Sequence, residues 1–379
     1  MKEKKAWLSI LVTAVFIAAF VLIILCVNKD KPGFSITENS GTEYETARVL
    51  AVTADNSQID ETTENVRKGS QDLQVEILTG RYEGEIAPVR NYFSALYNVN
   101  VGVGDTVCVR IDTMDVGTYE LSIYNYNRFP LVIGLVLLFA VLLCLVGGWK
   151  GAKAFIGLAY TFICICFILI PLVLKGWNAV LLTSLIVFVT TTVCFFLIGG
   201  FSKKTLAAEI GCMCGVIAAA VIGEVSARIG GVSTFQMEEA EALLLVKSDS
   251  LLKMRGLFTA GILIAAMGAV MDVAMSISSA ISEVKEANSQ FGFKKLFKSG
   301  MNIGRDAMGT MANTLVLAYV GSALNMMVLI YSYGVSFRQL ICTDFVAIEL
   351  IHSISGSIGI ICTVPCVSLI AAYLFSKKS

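Results

Sequence analysis

GAVMDVAMSISSAISEV (Gly268–Val284) and SGMNIGRDAMGTMANT (Ser299–Thr314) carry the most informative pattern in this chain. Both lie in or beside apolar runs long enough to cross a bilayer, yet both repeat polar residues at helical spacing. In the first stretch, the polar residues that share one helix face are Asp272, Ser276, Ser279 and Glu283. In the second, they are Asp306, Thr310 and Asn313. An ionisable group at membrane depth is costly unless it faces water or a partner, so both faces are predicted to be functional.

The composition is that of a membrane protein. The chain has 379 residues, of which 56% are hydrophobic and 15% charged, and its mean hydropathy is +0.75. Soluble domains carry about a quarter charged residues, so the deficit indicates burial in lipid. The net charge of zero argues against nucleic-acid binding, which needs a basic face. A single histidine excludes a site built from several histidines.

Apolar runs of membrane length recur along the chain. Met1–Lys5 is basic, and Trp7–Val27 follows it as an anchor with no clear small-x-small cleavage motif after it. Seven further spans are predicted: Leu131–Leu145, Phe155–Leu174, Ala179–Ile198, Leu206–Ser226, Leu257–Ser278, Met311–Tyr331 and Phe345–Phe375. With both termini in the cytoplasm, the inward segments carry 14 lysines and arginines and the short outward loops carry 6. We therefore expect about eight spans in a plasma membrane, in an all-α polytopic bundle.

One soluble domain is predicted between the first two spans, so the domains are residues 1–28 (anchor), 29–128 (soluble) and 129–379 (seven helices). Val107, Val109 and Ile111 alternate with polar or small residues, which is typical of a half-buried strand. Six short strands, with Val99–Val101 as one of them, predict a small all-β barrel, OB-like or lipoyl-like, outside the cytoplasm. Ten of the 11 cysteines lie in or at the ends of apolar runs, so a disulfide-stapled ectodomain is not expected.

Several polar residues in the spans have two possible roles. Asp272 is either a buried structural acid or a carboxylate that binds a proton or cation beside a water-filled path. Glu349 and His352 lie one turn apart, and they form either a proton relay or part of a structural hydrogen-bond network. Glu209 is predicted to be a helix-start charge and Glu224 a paired interfacial acid. The CxC cysteine pairs favour helix packing over thiolate ligation, and any metal site stays unassigned.

Two segments, GAVMDVAMSISSA (268–280) and GMNIGRDAMGTMANTL (300–315), resemble the YibE/F-like family of bacterial multi-pass membrane proteins. The resemblance covers about Pro130–Phe375, and the anchor and ectodomain make the chain similar to the longer, YibE-type member. The resemblance implies that the protein functions together with a shorter YibF-type membrane partner. It assigns no catalytic role to any residue.

These patterns favour a transporter or channel-like permease, ion- or proton-coupled, of unknown substrate. The residues predicted to bind the ion, proton or substrate are Asp272, Ser276, Ser279, Asp306, Thr310, Asn313, Glu349 and His352. The alternative is a non-transporting scaffold or sensor whose β-domain binds a ligand or an envelope protein. No Walker, HExxH, nucleophile-elbow or dinucleotide motif is present, so neither an enzyme nor a cofactor is predicted. The expected partners are the bilayer, the YibF-type chain and a second copy.

Overall fold

The computed structural model describes residues 20–29, 41–61, 66–94, 97–113, 118–232 and 254–376. The chain divides into two compact units, which are described separately. Residues 31–143 form the first unit, and Cys144–Ser379 together with the N-terminal 30 residues form the second. The larger part of the predicted first span, Trp7–Val27, lies outside the described residues. Residues 20–28, which are described, form the helix α1.

The first unit contains an antiparallel sheet of six strands. They are β1 (Thr42–Asp55), β2 (Gln58–Asp60), β3 (Val66–Ile77), β4 (Ile86–Phe93), β5 (Thr106–Thr113) and β6 (Tyr119–Tyr126). The strand order is β2-β3-β1-β5-β6, and β4 also pairs with β3. The long strand β1 pairs with β5 through its first half and with β3 through its second half, and two register shifts in the β1–β3 ladder bend it. The sheet curls into a half-barrel, which confirms the predicted all-β domain.

The core of the sheet follows the alternation of the sequence. Val107, Val109 and Ile111 are fully buried, as the half-buried strand predicted. The expected strand Val99–Val101 is wrong, because this segment has no ladder partner. Its carbonyl groups instead accept hydrogen bonds from the side chains of Asn91 (2.7 Å to Val99) and Gln71 (3.4 Å to Val101). Two buried side-chain amides thus supply the hydrogen bonds that a neighbouring strand would otherwise donate to these carbonyl groups.

The helices of the chain after the sheet begin with α2 (Phe129–Cys164), a π-helical turn (Ile165–Leu169) and α3 (Ile170–Leu174). They continue with α4 (Ala179–Gly199), α5 (Lys203–Ile229), α6 (Met254–Ala287), α7 (Phe293–Ser322), α8 (Leu324–Ser332), α9 (Phe337–Ile341) and α10 (Asp344–Ser376). Among the described residues, five helices are long and apolar enough to cross a membrane, or six if the bent pair α7–α8 is one span. The helical membrane architecture is therefore confirmed.

The first of these helical segments is too long for one crossing. Phe129–Leu174 has 46 residues, or about 70 Å at 1.5 Å per residue, against a hydrocarbon core of about 30 Å. Gly148 interrupts it with a non-helical backbone (φ 56°, ψ −138°), which glycine adopts without a steric penalty. This break lies between the two spans predicted here, and the total of eight spans stays a prediction.

Close glycine contacts bring α5 and α10 together. A Cβ atom added at Gly215 would lie 1.8 Å from Thr363 Oγ1, and one at Gly211 would lie 2.1 Å from Val367 Cγ2. Small residues at this spacing allow two membrane helices to approach closely. The helix α10 runs through Pro365 as one element. The core of this unit lies around α6, which contacts α4, α5, α7 and α10.

The predicted start of the seventh span, Met311–Tyr331, is wrong. Helix α7 begins at Phe293, eighteen residues before the expected start at Met311, and the chain bends by 56° between α7 and α8. The basic residues Lys294, Lys295 and Lys298, which precede the predicted span, are therefore helical. Gly300 and Gly304 explain this, because they let α7 pack closely from its first turns. A Cβ atom added at Gly300 would meet Ile281 and Ser368. One added at Gly304 would meet Ile277 and Val364.

Candidate functional site

The predicted polar face of α6 lies on the surface of the single chain. Asp272 and Ser276 are exposed, and Ser279 is half-buried beside them. On one flank of this face, Met267 accepts a hydrogen bond from Thr190 of α4. On the other flank, Ile277 packs against Gly304 of α7. The face is therefore the part of α6 that is left uncovered between α4 and α7.

The polar face of α7 also points away from the bundle. Gly300 and Gly304 of this helix are buried, while Asp306, Thr310 and Asn313 are exposed. The hydroxyl of Thr310 donates to the carbonyl group of Ala307 in its own helix, at 2.9 Å. The division follows helical periodicity, since the glycines and the polar residues occupy opposite sides of the helix.

The two faces lie at the same level. Gly300 is packed against Ile281 and Gly304 against Ile277, which sets the antiparallel register of α6 and α7. Continuing that register places Asp306 level with Met275, next to Ser276, and Thr310 level with Met271, next to Asp272. We call Asp272, Ser276, Ser279, Asp306, Thr310 and Asn313 the polar stripe. Within the described part of the chain, neither Asp272 nor Asp306 has a hydrogen-bond or ion-pair partner.

The other two predicted site residues lie inside the bundle. His352 is 8% exposed, and its ring stacks on Phe258 at 4.6 Å and lies 5.8 Å from the ring of Tyr319. Glu349 is half-buried and lines a small cavity of about 50 Å³ with Tyr319 and Ser353. The eight predicted residues thus fall into two groups, six on the polar stripe and two at the contact of α7 with α10. The close packing of His352 between two rings fits a structural role as well as a relay.

A larger cavity lies among the ends of α3, α4, α5 and α6. It has a volume of about 600 Å³ and a mostly apolar lining that includes Trp177 and Asn178. Its charged wall is formed by Glu224, which accepts hydrogen bonds from Arg228 and Thr259, both at 2.7 Å. Glu224 is therefore a paired acid near the helix end, as predicted. The volume suits a small organic solute. The spacing of four residues between Glu224 and Arg228 on α5 signals this ion pair in the sequence, but not the cavity.

Glu209 is a site residue that the sequence did not reveal. It was expected to be a helix-start charge, and that expectation is wrong, because the residue is 8% exposed. Its Oε1 accepts hydrogen bonds from Thr191 at 3.0 Å and Thr192 at 2.9 Å. The turn from α4 to α5 is short and ends at the N-cap residue Ser202, so the last turns of α4 pack beside the first turns of α5. The run Thr190–Thr192 in an otherwise apolar helix was the available signal.

No group of three or more histidine, cysteine or acidic residues capable of holding a metal ion occurs in the described ranges. The cysteines of those ranges are free thiols. The polar stripe and the surroundings of Glu209 both present carboxyl and hydroxyl oxygen atoms.

These features define a polytopic helical membrane protein with an N-terminal β-domain and intramembrane acids. A family model described as YibE/F-like protein matches residues 135–377, and one described as YibE/F family N-terminal domain matches residues 41–126. The chain belongs to the YibE/F-like family. No curated protein and no solved structure matches it.

Proposed function

We propose that this chain is an ion- or proton-coupled permease whose path runs along the polar stripe. The observation that carries the proposal is the exposure of Asp272 and Asp306 near the middle of α6 and α7. An acidic side chain at the centre of a bilayer costs about 2.5–3.5 kcal/mol by insertion measurements. Two such residues facing lipid would make the bundle unstable. The stripe therefore needs water, another protein chain, or both.

A water-filled path fits the chemistry of the stripe. Carboxylates, hydroxyls and the amide of Asn313 supply oxygen ligands, which suit protons and hard cations. Asp272 and Asp306 would bind the ion, and Ser276, Ser279 and Thr310 would line the route. Glu349 and His352 would act from inside the bundle, on the opposite side of α7. The proposal gives none of these residues a catalytic role.

A second membrane chain would close the open side of the path. Either another copy of this chain or a shorter YibF-type protein could cover α6 and α7, since the stripe has no cover within the described part of this chain. We further propose that both termini are cytoplasmic and the β-domain is outside, on the basis of the loop charges. There the β-domain would capture the solute, gate the path or bind a partner.

The test is a flux measurement in proteoliposomes. Wild-type protein, with and without a co-reconstituted partner chain, is assayed with a panel of cations and small anions under an imposed pH gradient. We expect flux of at least one solute in the wild type and its loss in Asp272→Asn, which keeps the shape and removes the charge. The matched control is Glu286→Gln, which removes an exposed acid at the end of the same helix. Normal flux in Asp272→Asn would remove this residue from the path.

The second candidate is a membrane scaffold or sensor. It is favoured by the β-domain, which has its own buried core with eleven fully or nearly fully buried aliphatic residues. Under this hypothesis the stripe is a dry contact surface for another chain. Residues 41–128 expressed alone should then keep the binding of a ligand or envelope protein, and no solute should cross proteoliposomes in any combination. Solute flux that depends on Asp272 would contradict it.

A further inference from the structure

Glu209 sits in a closed environment between α4 and α5. Glu209 itself is 8% exposed, and the residues around it are buried as well. Thr191 and Cys212 are fully buried, and Cys194 is 6% exposed. The two threonine hydroxyls that reach its Oε1 come from consecutive residues of α4. Its Oε2 is buried and has no hydrogen-bond partner among the described residues.

The hydroxyls of Thr191 and Thr192 have a second acceptor that competes with the carboxylate of Glu209. Each of them also lies within hydrogen-bond distance of the carbonyl oxygen of Phe188, at 3.0 Å for Thr191 and 2.7 Å for Thr192. A hydroxyl has one proton to donate. Two protons are thus shared between the Phe188 carbonyl group and Glu209, and the carboxylate receives one or two hydrogen bonds on one oxygen only.

An ionised carboxylate is poorly compensated in such a place. A buried charge needs a counter-charge or a full set of donors. The thiols of Cys194 on α4 and Cys212 on α5 lie close enough to interact electrostatically with Glu209, and neither is a cation. Among the described residues Glu209 has no ion-pair partner. A proton neutralises the carboxyl without opening the packing, whereas a metal ion would need space for several ligands.

We propose that Glu209 is an intramembrane proton-binding site, with Thr191 and Thr192 positioning its carboxyl. The bound proton resides on Oε2 or Oε1 and is released only when the contact of α4 with α5 opens to water. The site shares no residue with the polar stripe. It therefore stands whether or not the chain is a permease, and in a permease it would be a candidate coupling site.

The experiment is infrared difference spectroscopy of the full chain in liposomes, perfused from mildly acidic to alkaline pH. We expect a carbonyl stretch of a protonated carboxylic acid at neutral pH that disappears in Glu209→Gln. The band should persist in Glu224→Gln, the matched variant of the other glutamate of α5, whose carboxyl is already paired with Arg228. Spectra of Glu209→Gln and wild type without any difference in this region would overturn the proposal.

A second variant guards against a folding defect. Thr191→Val keeps the shape of the side chain and removes one hydroxyl, so the carboxylic acid band should shift in frequency while the band itself remains. A band that is unmoved in both Thr191→Val and Thr192→Val belongs to another carboxyl group and contradicts the assignment. Sodium or potassium ions added at constant pH should leave the band unchanged. Its loss on adding either ion would show a metal-ion site instead.

Discussion

The polar stripe and the Glu209 site place acids in the same membrane unit in opposite ways. Asp272 and Asp306 are exposed and lack partners among the described residues, whereas Glu209 is enclosed and receives hydroxyl donors. The stripe was predicted from helical spacing, but Glu209 was misplaced at a helix start. Spacing reveals which residues share a face, yet only packing decides whether the face points into the bundle or away from it. An open stripe suits exchange with water, and a closed site suits a proton that is held.

The largest expected effect concerns the open stripe. Asp306→Asn should lower flux in proteoliposomes about tenfold or more, since it removes the second charge at membrane depth. The variant should fold normally, because the side chain is exposed and unpaired within the described residues. Flux unchanged from the wild type, at equal amounts of reconstituted protein, would confine the path to Asp272 and its neighbours on α6.

The two sides of α7 should differ strongly in their tolerance of a methyl group. A Cβ at Gly304 would lie 2.3 Å from Val364 Cγ1, whereas one at Gly309 meets nothing within 4 Å. Gly304→Ala should therefore destabilise the protein by about 1–3 kcal/mol through overpacking. Gly309→Ala should be neutral or stabilising by up to about 1 kcal/mol. Thermal unfolding in detergent measures both, and equal melting temperatures would show that α7 is oriented differently.

A similar contrast is expected between threonines inside and outside. Thr191→Val removes a buried hydroxyl that serves Glu209 and should cost about 1 kcal/mol of unfolding free energy. Thr314 is exposed, and its hydroxyl donates only to the carbonyl group of Thr310 on its own helix. Thr314→Val should change the stability by no more than about 0.5 kcal/mol. The same denaturation assay compares them, and a larger loss for Thr314→Val would mean that the surface of α7 around Thr314 is packed in the folded protein.

The smallest effect is expected in the β-domain, where acids such as Asp72 form ion pairs at the surface. Arg90 donates to both oxygens of Asp72, at 2.5 and 3.1 Å, and this holds the pKa of Asp72 below its usual value. Because the folded-state pKa is depressed, the stabilising effect is present above the unfolded value of about 3.9 and is lost as the pH falls through the folded value. Acid unfolding of residues 41–128 should thus be less steep in Asp72→Asn. An identical pH profile would mean that the pair contributes nothing to stability.

The sequence predicted most of the architecture and only part of the site. Alternation in β5 and the long apolar runs were reliable, because one face of a strand and the whole surface of a span have simple solvent preferences. The start of α7 was missed because Gly300 and Gly304 pack closely against residues of α6 and α10 that are distant in the sequence. Glu209 was missed because its partners, Thr191 and Thr192, lie on another helix. The cavity beside Trp177 combines four elements, and no local pattern encodes it.

The most direct test of the account asks whether water reaches the polar stripe. Ser276→Cys is compared with Ile217→Cys, an exposed apolar position in the middle of α5, after the exposed cysteines Cys26, Cys144, Cys214 and Cys342 have been replaced by alanine. The proteins, in liposomes, are treated with a charged, membrane-impermeant thiol reagent. A water-filled path predicts rapid modification of Ser276→Cys and none of Ile217→Cys. Equal protection of both positions would show that the stripe is dry and would contradict a permease path along α6 and α7.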